Sequence, residues 1–246
     1  MIQLPEAVTV VRKEGTTTVF EIGPLMPGYG ATVANPLRRV LLSSLEGAAV
    51  TSLKIKGVDH EFAAIPGVQE DIIQIILNLK KLRFRAFTSD PVVLNVSAKG
   101  ETTITGEDIQ LTSDVELCNP EQVICTVTDK KVTLDMELTI EKGRGYVSVE
   151  QRQKEKLPIG VIAVDAAFSP VRLVNFTIED VRVGQRIDFN KIVMEVQTDG
   201  SIQPEQAMKE AATILADHFN VVAQIAVPEP EAKPAKKAAK KSKKTE

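Results

Sequence analysis

The chain has 246 residues, 43% hydrophobic and 26% charged, enough for one large domain or two smaller ones with real cores. Its net charge of −3 hides an asymmetry. Residues 228–246 hold seven Lys and three Glu, a tail of +4, so residues 1–227 stand at −7, which argues against a dedicated nucleic-acid-binding domain. No apolar run reaches the ~20 residues of a membrane span, and M-I-Q-L-P-E lacks a basic segment before an apolar one, so no secretory signal is expected. Cys118 and Cys125 share no metal-ligand spacing with His60 and His218 and read as reduced thiols in a cytoplasm-like compartment.

In chain order, the β-branched runs 7–11 and 16–22, separated by R-K-E-G, predict a hairpin. G-P-L-M-P-G-Y-G then reads as a loop leading to a helix from Asn35 to about Glu46, with Asn35 as N-cap, Pro36 at the first helical position and Gly47 as the stop. Leu37, Val40, Leu41 and Leu45 fall on one face of that helix. Arg39, Leu42, Ser43 and Glu46 fall on the other, which reads either as a solvated face or as a surface that another protein covers. Short strands are expected in A-A-V-T-S-L-K-I-K and G-V-D-H-E-F. A second helix follows Gly67-Val68, with Glu70 and Asp71 at its start, Lys80 and Lys81 at its end, and an apolar circumference that predicts burial on more than one side. Residues 83–149 alternate as half-buried antiparallel strands, and 150–157 form a polar loop. Strands return at 159–166, 171–183 and 191–198, with Asp199-Gly200 as a turn. The last helix starts near Pro204. Met208, Ala211, Leu215, His218, Val222 and Ile225 make a seam, widened by Ile214 and Phe219, that fits an internal helix pair or a dimer interface equally. The Lys-rich tail is low in complexity and expected to be disordered.

A catalytic constellation is missing: there is no G-x-x-x-x-G-K, no H-E-x-x-H, no G-x-S-x-G and no Asp cluster for two-metal chemistry. Gly28-Tyr29-Gly30 and Gly143-Arg144-Gly145-Tyr146 read as turns, the latter a tight hairpin. His60 has no evident partner, and His218 reads as a packed, hydrogen-bonded residue of the seam.

Taken together, N-P-L-R-R-V-L-L-S-S, G-V-Q-E-D-I-I-Q-I-I-L-N-L-K, E-K-G-R-G-Y-V, P-I-G-V-I-A-V-D-A-A-F-S-P-V and P-E-Q-A-M-K-E-A-A-T-I-L-A resemble, in order, the N-terminal domain of the bacterial RNA polymerase alpha subunit. The resemblance implies an α+β fold: a dimerisation domain from both chain ends, 1–46 and 171–227, around a mostly β insertion, 47–170. It also implies a non-catalytic, cytoplasmic assembly subunit of a nucleotidyltransferase, without a cofactor of its own. The chain would form a homodimer and recruit the beta and beta-prime subunits, with omega and sigma in the assembled enzyme. Contact to beta maps onto Arg39, Leu42 and Gly67, Val68, Gln69, Glu70 and Asp71. Contact to beta-prime maps onto Lys80, Val164, Asp165 and Arg182. Dimerisation maps onto Tyr29, Leu37, Leu41, Met208, Leu215, His218 and Phe219. DNA would be met only through the complex or weakly through the Lys-rich tail, since the sequence shows that tail where family members commonly carry a DNA-binding C-terminal domain. The 150–157 loop is not the acidic cluster an activator would use. A stand-alone nucleic-acid-binding protein is the second reading.

Overall fold

The computed structural model describes residues 7–152, Pro158 and 160–225. The tail at 228–246 and residues 153–157 of the polar loop lie outside the described residues. The elements begin with the hairpin β1 (Ala7–Glu14) and β2 (Thr17–Leu25), then α1 (Tyr29–Ser43), β3 (Glu46–Ile55) and α2 (Ile72–Leu79). A run of strands follows: β4 (Phe84–Ala86), β5 (Val92–Lys99), β6 (Thr102–Thr105), β7 (Ile109–Gln110), β8 (Val115–Leu117), β9 (Val123–Val127), β10 (Thr133–Arg144) and β11 (Tyr146–Val147). A short α3 (Val149–Arg152) precedes β12 (Val161–Ala163) and β13 (Ala166–Ala167). The long hairpin β14 (Val171–Val183) and β15 (Arg186–Thr198) leads into α4 (Pro204–Ala223).

These elements build an α+β molecule with two hydrophobic cores. One core uses both ends of the described chain. Its sheet runs β1-β2-β15-β14, all antiparallel. Strict alternation along β2 and β15 turns Phe20, Ile22, Ile192, Met194 and Val196 toward α1 and α4, which answer with Ala34, Leu37, Leu41, Ala207, Met208 and Ala211. The other core lies between. A seven-stranded sheet, β7-β5-β10-β3-β4-β8 with β12 beside β3, closes on α2 through Leu53, Ile72, Ile75, Leu79, Leu94 and Leu138, all fully buried. Each such side chain contributes about 1.5–3 kcal/mol of transfer free energy.

The chain passes between the two units twice, and the passages meet. Phe168 lies against Gly47 and Gly143, which are partners in the β3–β10 register. A Cβ on Gly143 would sit 2.6–2.8 Å from three atoms of the Phe168 ring, and one on Gly47 would overlap the Phe168 carbonyl. The amides of Phe168 and Ser169 donate to the Gly145 carbonyl at 2.8 and 3.3 Å, and the Ser169 hydroxyl donates to the Leu42 carbonyl at 3.0 Å.

Four local expectations need correction. The first helix starts at Tyr29, not Asn35, and ends at Ser43, so Pro36 lies inside it and Gly28-Tyr29-Gly30 is its entry. Gly28 takes φ +81, and the missing cap comes from far along the chain: Asn190 Oδ1 accepts the Gly28 and Gly30 amides at 2.8 and 3.4 Å. The Asn35 amide instead donates back to the Ala31 carbonyl at 3.1 Å. G-V-D-H-E-F is not a strand, because the chain turns at Gly57, φ +83, and leaves the sheet. Arg144-Gly145-Tyr146 is not a hairpin: Gly145, φ +64, turns the chain away from β10, and β11 pairs with β13. Finally, α2 is buried on one side only, and Ile73 and Leu77 stand exposed one turn apart.

Candidate partner-binding surfaces

On α1, the 3.6-residue period sends Leu37 and Leu41 into the core and Arg38 and Arg39 outward. Arg38 is pinned, its Nε donating to the Val174 carbonyl at 3.0 Å. The exposed Arg39 guanidinium has no hydrogen bond or ion pair among the described residues. Leu42 does not match it as an outward residue: it is half-buried against the core of its own unit, because Ser169 holds the next passage of chain against it.

The segment Gly67–Asp71 is shaped by internal bonds. Gly67, φ +81, leaves no room for a Cβ, which would come within 2.8 Å of Val132. Its carbonyl accepts the Thr128 amide at 2.8 Å, and half-buried Val68 bridges to Val127. The Gln69 amide donates to Thr126, Glu70 Oε2 accepts the Thr126 amide at 2.7 Å, and Asp71 Oδ1 caps α2 through the Gln74 amide at 2.7 Å. Gln69 and Asp71 are exposed. In the chain this segment and Arg39 stand on either side of the ten residues of β3, and they pack on different cores.

Of the second set, Lys80 and Asp165 come together, Nζ to Oδ2 at 3.3 Å, both about one-third exposed. Asp165 also accepts the Val149 amide at 2.9 Å and bonds the Tyr146 hydroxyl. That amide first, then Tyr146 and Lys80, hold its carboxyl below the ordinary value. Val164 points the other way and is 1% exposed, so it belongs to the core and offers a partner nothing. Arg182 stands exposed in the other unit, near the turn of the β14–β15 hairpin, with its Nε on the Gly184 carbonyl at 2.9 Å.

The third set divides. Leu37, Leu41 and Met208 are interior to their own chain, so they carry the helices and are not themselves available to a second copy. Leu215 is half-buried against the same core. From Ala216 to Ile225 every residue is exposed, including Phe219 (63%), Val222 (67%) and Ile225 (76%), and Tyr29 is exposed at the start of α1. His218 is hydrogen-bonded, Nδ1 to the Ile214 carbonyl at 2.7 Å, but exposed rather than packed. Sequence reasoning missed Val221, which lies off the seam, and the pair Ile73 and Leu77; their i, i+4 spacing outside the Ile72-Ile75-Leu79 stripe was the available signal.

No group of three or more His, Cys, Asp or Glu is placed to hold a metal among the described residues. Burial, with Glu70 nearby, pushes the Cys125 thiol up to about 12, which leaves it inert. No helix among the described residues is long and apolar enough to cross a membrane.

The family description RNA polymerase Rpb3/RpoA insert domain matches residues 53–169. The chain is 53% identical over 202 residues to the DNA-directed RNA polymerase subunit alpha of Moorella thermoacetica, covering 82% of this chain and 64% of that one. It is 45% identical over 218 residues to that of Roseiflexus sp., covering 89% and 66%, and 48% identical over 221 residues to that of Symbiobacterium thermophilum, covering 89% and 70%. The chain thus spans about two thirds of the length of these relatives.

Proposed function

We propose, because the chain belongs to the DNA-directed RNA polymerase alpha-subunit family, that it is a non-catalytic assembly subunit whose homodimer recruits the beta and beta-prime subunits. As in the relatives by name, it is a subunit of an RNA polymerase. The observation that carries the assembly reading is the uncovered end of α4 with the two residues after it, ten consecutive exposed residues that include Phe219, Val221, Val222 and Ile225. Monomeric soluble proteins rarely leave so contiguous an apolar surface open, and a second copy is the occupant that a scaffold needs. In this reading residues 1–46 and 171–227 form the dimerisation domain and 47–170 the insertion. The guanidinium of Arg39, unpartnered among the described residues, supplies an anchor for beta, joined by Gln69 and Asp71. Lys80 and Asp165 present a paired, rigid feature to beta-prime, with Arg182 as a separate contact. The chain works in the cytoplasm without a cofactor, alongside omega and sigma, and meets DNA through the complex or, weakly, through the tail.

The test is Val222→Asp. A charge placed in a desolvated helix contact leaves an unpaired buried ion, so sedimentation should show a monomer that keeps its folded sheet signal, with a thermal midpoint lowered and no longer dependent on protein concentration. A dimer that persists would overturn this surface. A filter-binding assay at two salt concentrations addresses the stand-alone nucleic-acid reading: DNA binding by the isolated chain that vanishes on deleting 228–246 would favour it.

A further inference from the structure

Beside the paired passages at Gly47 and Phe168, the described residues of the two units meet at a concentrated polar junction. Asp199, which follows β15 in the two-ended unit, has a side chain only 9% exposed. Its Oδ2 lies 3.5 Å from Arg83 Nε of the inserted unit and 3.8 Å from an Arg172 terminal nitrogen of its own unit. Its Oδ1 accepts the Ser201 amide and hydroxyl at 3.0 and 2.6 Å, and its amide donates to the Pro170 carbonyl at 2.9 Å. The carboxylate is therefore held by two bonds from Ser201, and its main chain by Pro170, before it meets either arginine. On the facing unit, Arg83 is equally fixed: a terminal nitrogen donates to the Lys80 and Leu82 carbonyls at 2.9 and 3.0 Å. Two residues on, Arg85 Nε donates across to the Ser201 carbonyl at 2.8 Å.

We infer that Asp199 is the shared counter-ion that sets the angle between the inserted and two-ended units, and that removing it lets the units move as separate bodies while each stays folded. The electrostatics favour this. A half-buried guanidinium, Arg83, and an exposed one, Arg172, face one carboxylate, and the Arg83 guanidinium is disfavoured by its burial and by Arg172, with Asp199 opposing both. Without Asp199 the two cations confront one another across the unit boundary, and separation of the units relieves them. Both cores lie elsewhere, in residues that do not include this cluster. The inference stands whether or not the assembly reading does.

The chain carries its own reporter. Cys118 is half-buried at this junction, its amide donates to the Arg83 carbonyl at 2.8 Å, and its thiol lies within electrostatic reach of Arg85, Glu116 and Asp199. Cys125 is buried in the inserted core. Alkylation by N-ethylmaleimide of the full chain reads the junction. Asp199→Asn and Arg83→Gln should each accelerate Cys118 labelling by roughly tenfold or more, on the alkaline plateau as well as below it, with Cys125 unlabelled, as expected of local opening. Arg172→Gln, which keeps the Asp199–Arg83 pair and removes the repulsion, should not accelerate it. Three results would overturn the inference: an unchanged Cys118 rate, Cys125 labelling in parallel through general unfolding, or a displaced pH midpoint at constant plateau, which would mean that only the thiolate had been stabilised.

Discussion

Gly143 carries a consequence out of proportion to its size. Its place beneath the Phe168 ring leaves less than van der Waals distance for a methyl group, and the ring is itself 5% exposed, with nowhere to go. Gly143→Ala is expected to destabilise the fold by about 1–3 kcal/mol, the usual cost of overpacking, measured by urea denaturation. Gly47→Ala should cost more, since the obstacle there is the Phe168 main chain rather than a side chain. Asp165 yields a pH prediction. Its folded-state pKa lies below its ordinary value of 3.8, chiefly through the Val149 amide. A depressed carboxyl contributes fully above the unfolded value and loses that contribution as pH falls through the folded one. Stability should therefore fall on the acid side of pH 3.8, and Asp165→Asn should flatten that limb of a urea-midpoint profile taken between about pH 2 and pH 5. None of this was legible at the level of single residues. Gly-Arg-Gly-Tyr looks like a hairpin because glycine permits a turn. What demands Gly143 is an aromatic ring 25 positions later, and what turns at Gly145 leads to β13 rather than back along β10.

Elements were legible where their determinants are local. The alternation in β2 and β15 and the Pro204 start of α4 follow from spacing alone. The first helix was misplaced by six residues because N-P is a good local start signal, whereas the real start depends on Asn190, a buried residue of β15 whose amide nitrogen is held in turn by Asp180 at 3.0 Å. A cap supplied across 162 positions leaves no trace near the helix it caps. The two asparagines can be told apart. Asn190→Ala strips the cap and leaves the Gly28 and Gly30 amides unpaired beside the sheet, so it should cost about 1–2 kcal/mol. Asn35→Ala removes one exposed bond back to Ala31 and should change stability by about 0.5 kcal/mol or less. Chemical denaturation of the two variants side by side decides which asparagine starts the helix. The seam of α4 was half legible for a related reason: a 3-4 spacing says that a helix has an apolar face, and only the depth of the partner layer says where along the helix the cover stops, here after Leu215.

At the scale of the molecule, residues assigned to one partner proved to come from different units. Arg39 lies on α1, which packs on the two-ended core, whereas the Gly67–Asp71 segment leads into α2 and packs on the inserted core through Val68. A partner that engages both must touch both units. That arrangement has a thermodynamic signature, because sites with no shared partners contribute additively. Arg39→Ala removes a guanidinium that nothing within the described chain occupies, and loss of such an anchor at an interface typically costs about 2 kcal/mol, or roughly thirtyfold in Kd. Gln69→Lys places a cation in the exposed rim of the second segment, where Glu70 and Asp71 are already committed to main-chain amides and cannot turn to neutralise it. Titration of the dimer with purified beta subunit should show each variant weakened, the stronger effect at Arg39, and the double variant weakened by the sum within about 0.5 kcal/mol. A coupling above about 1 kcal/mol would mean that the two segments act as one contact; no loss at Arg39 would remove the α1 surface from the interface altogether.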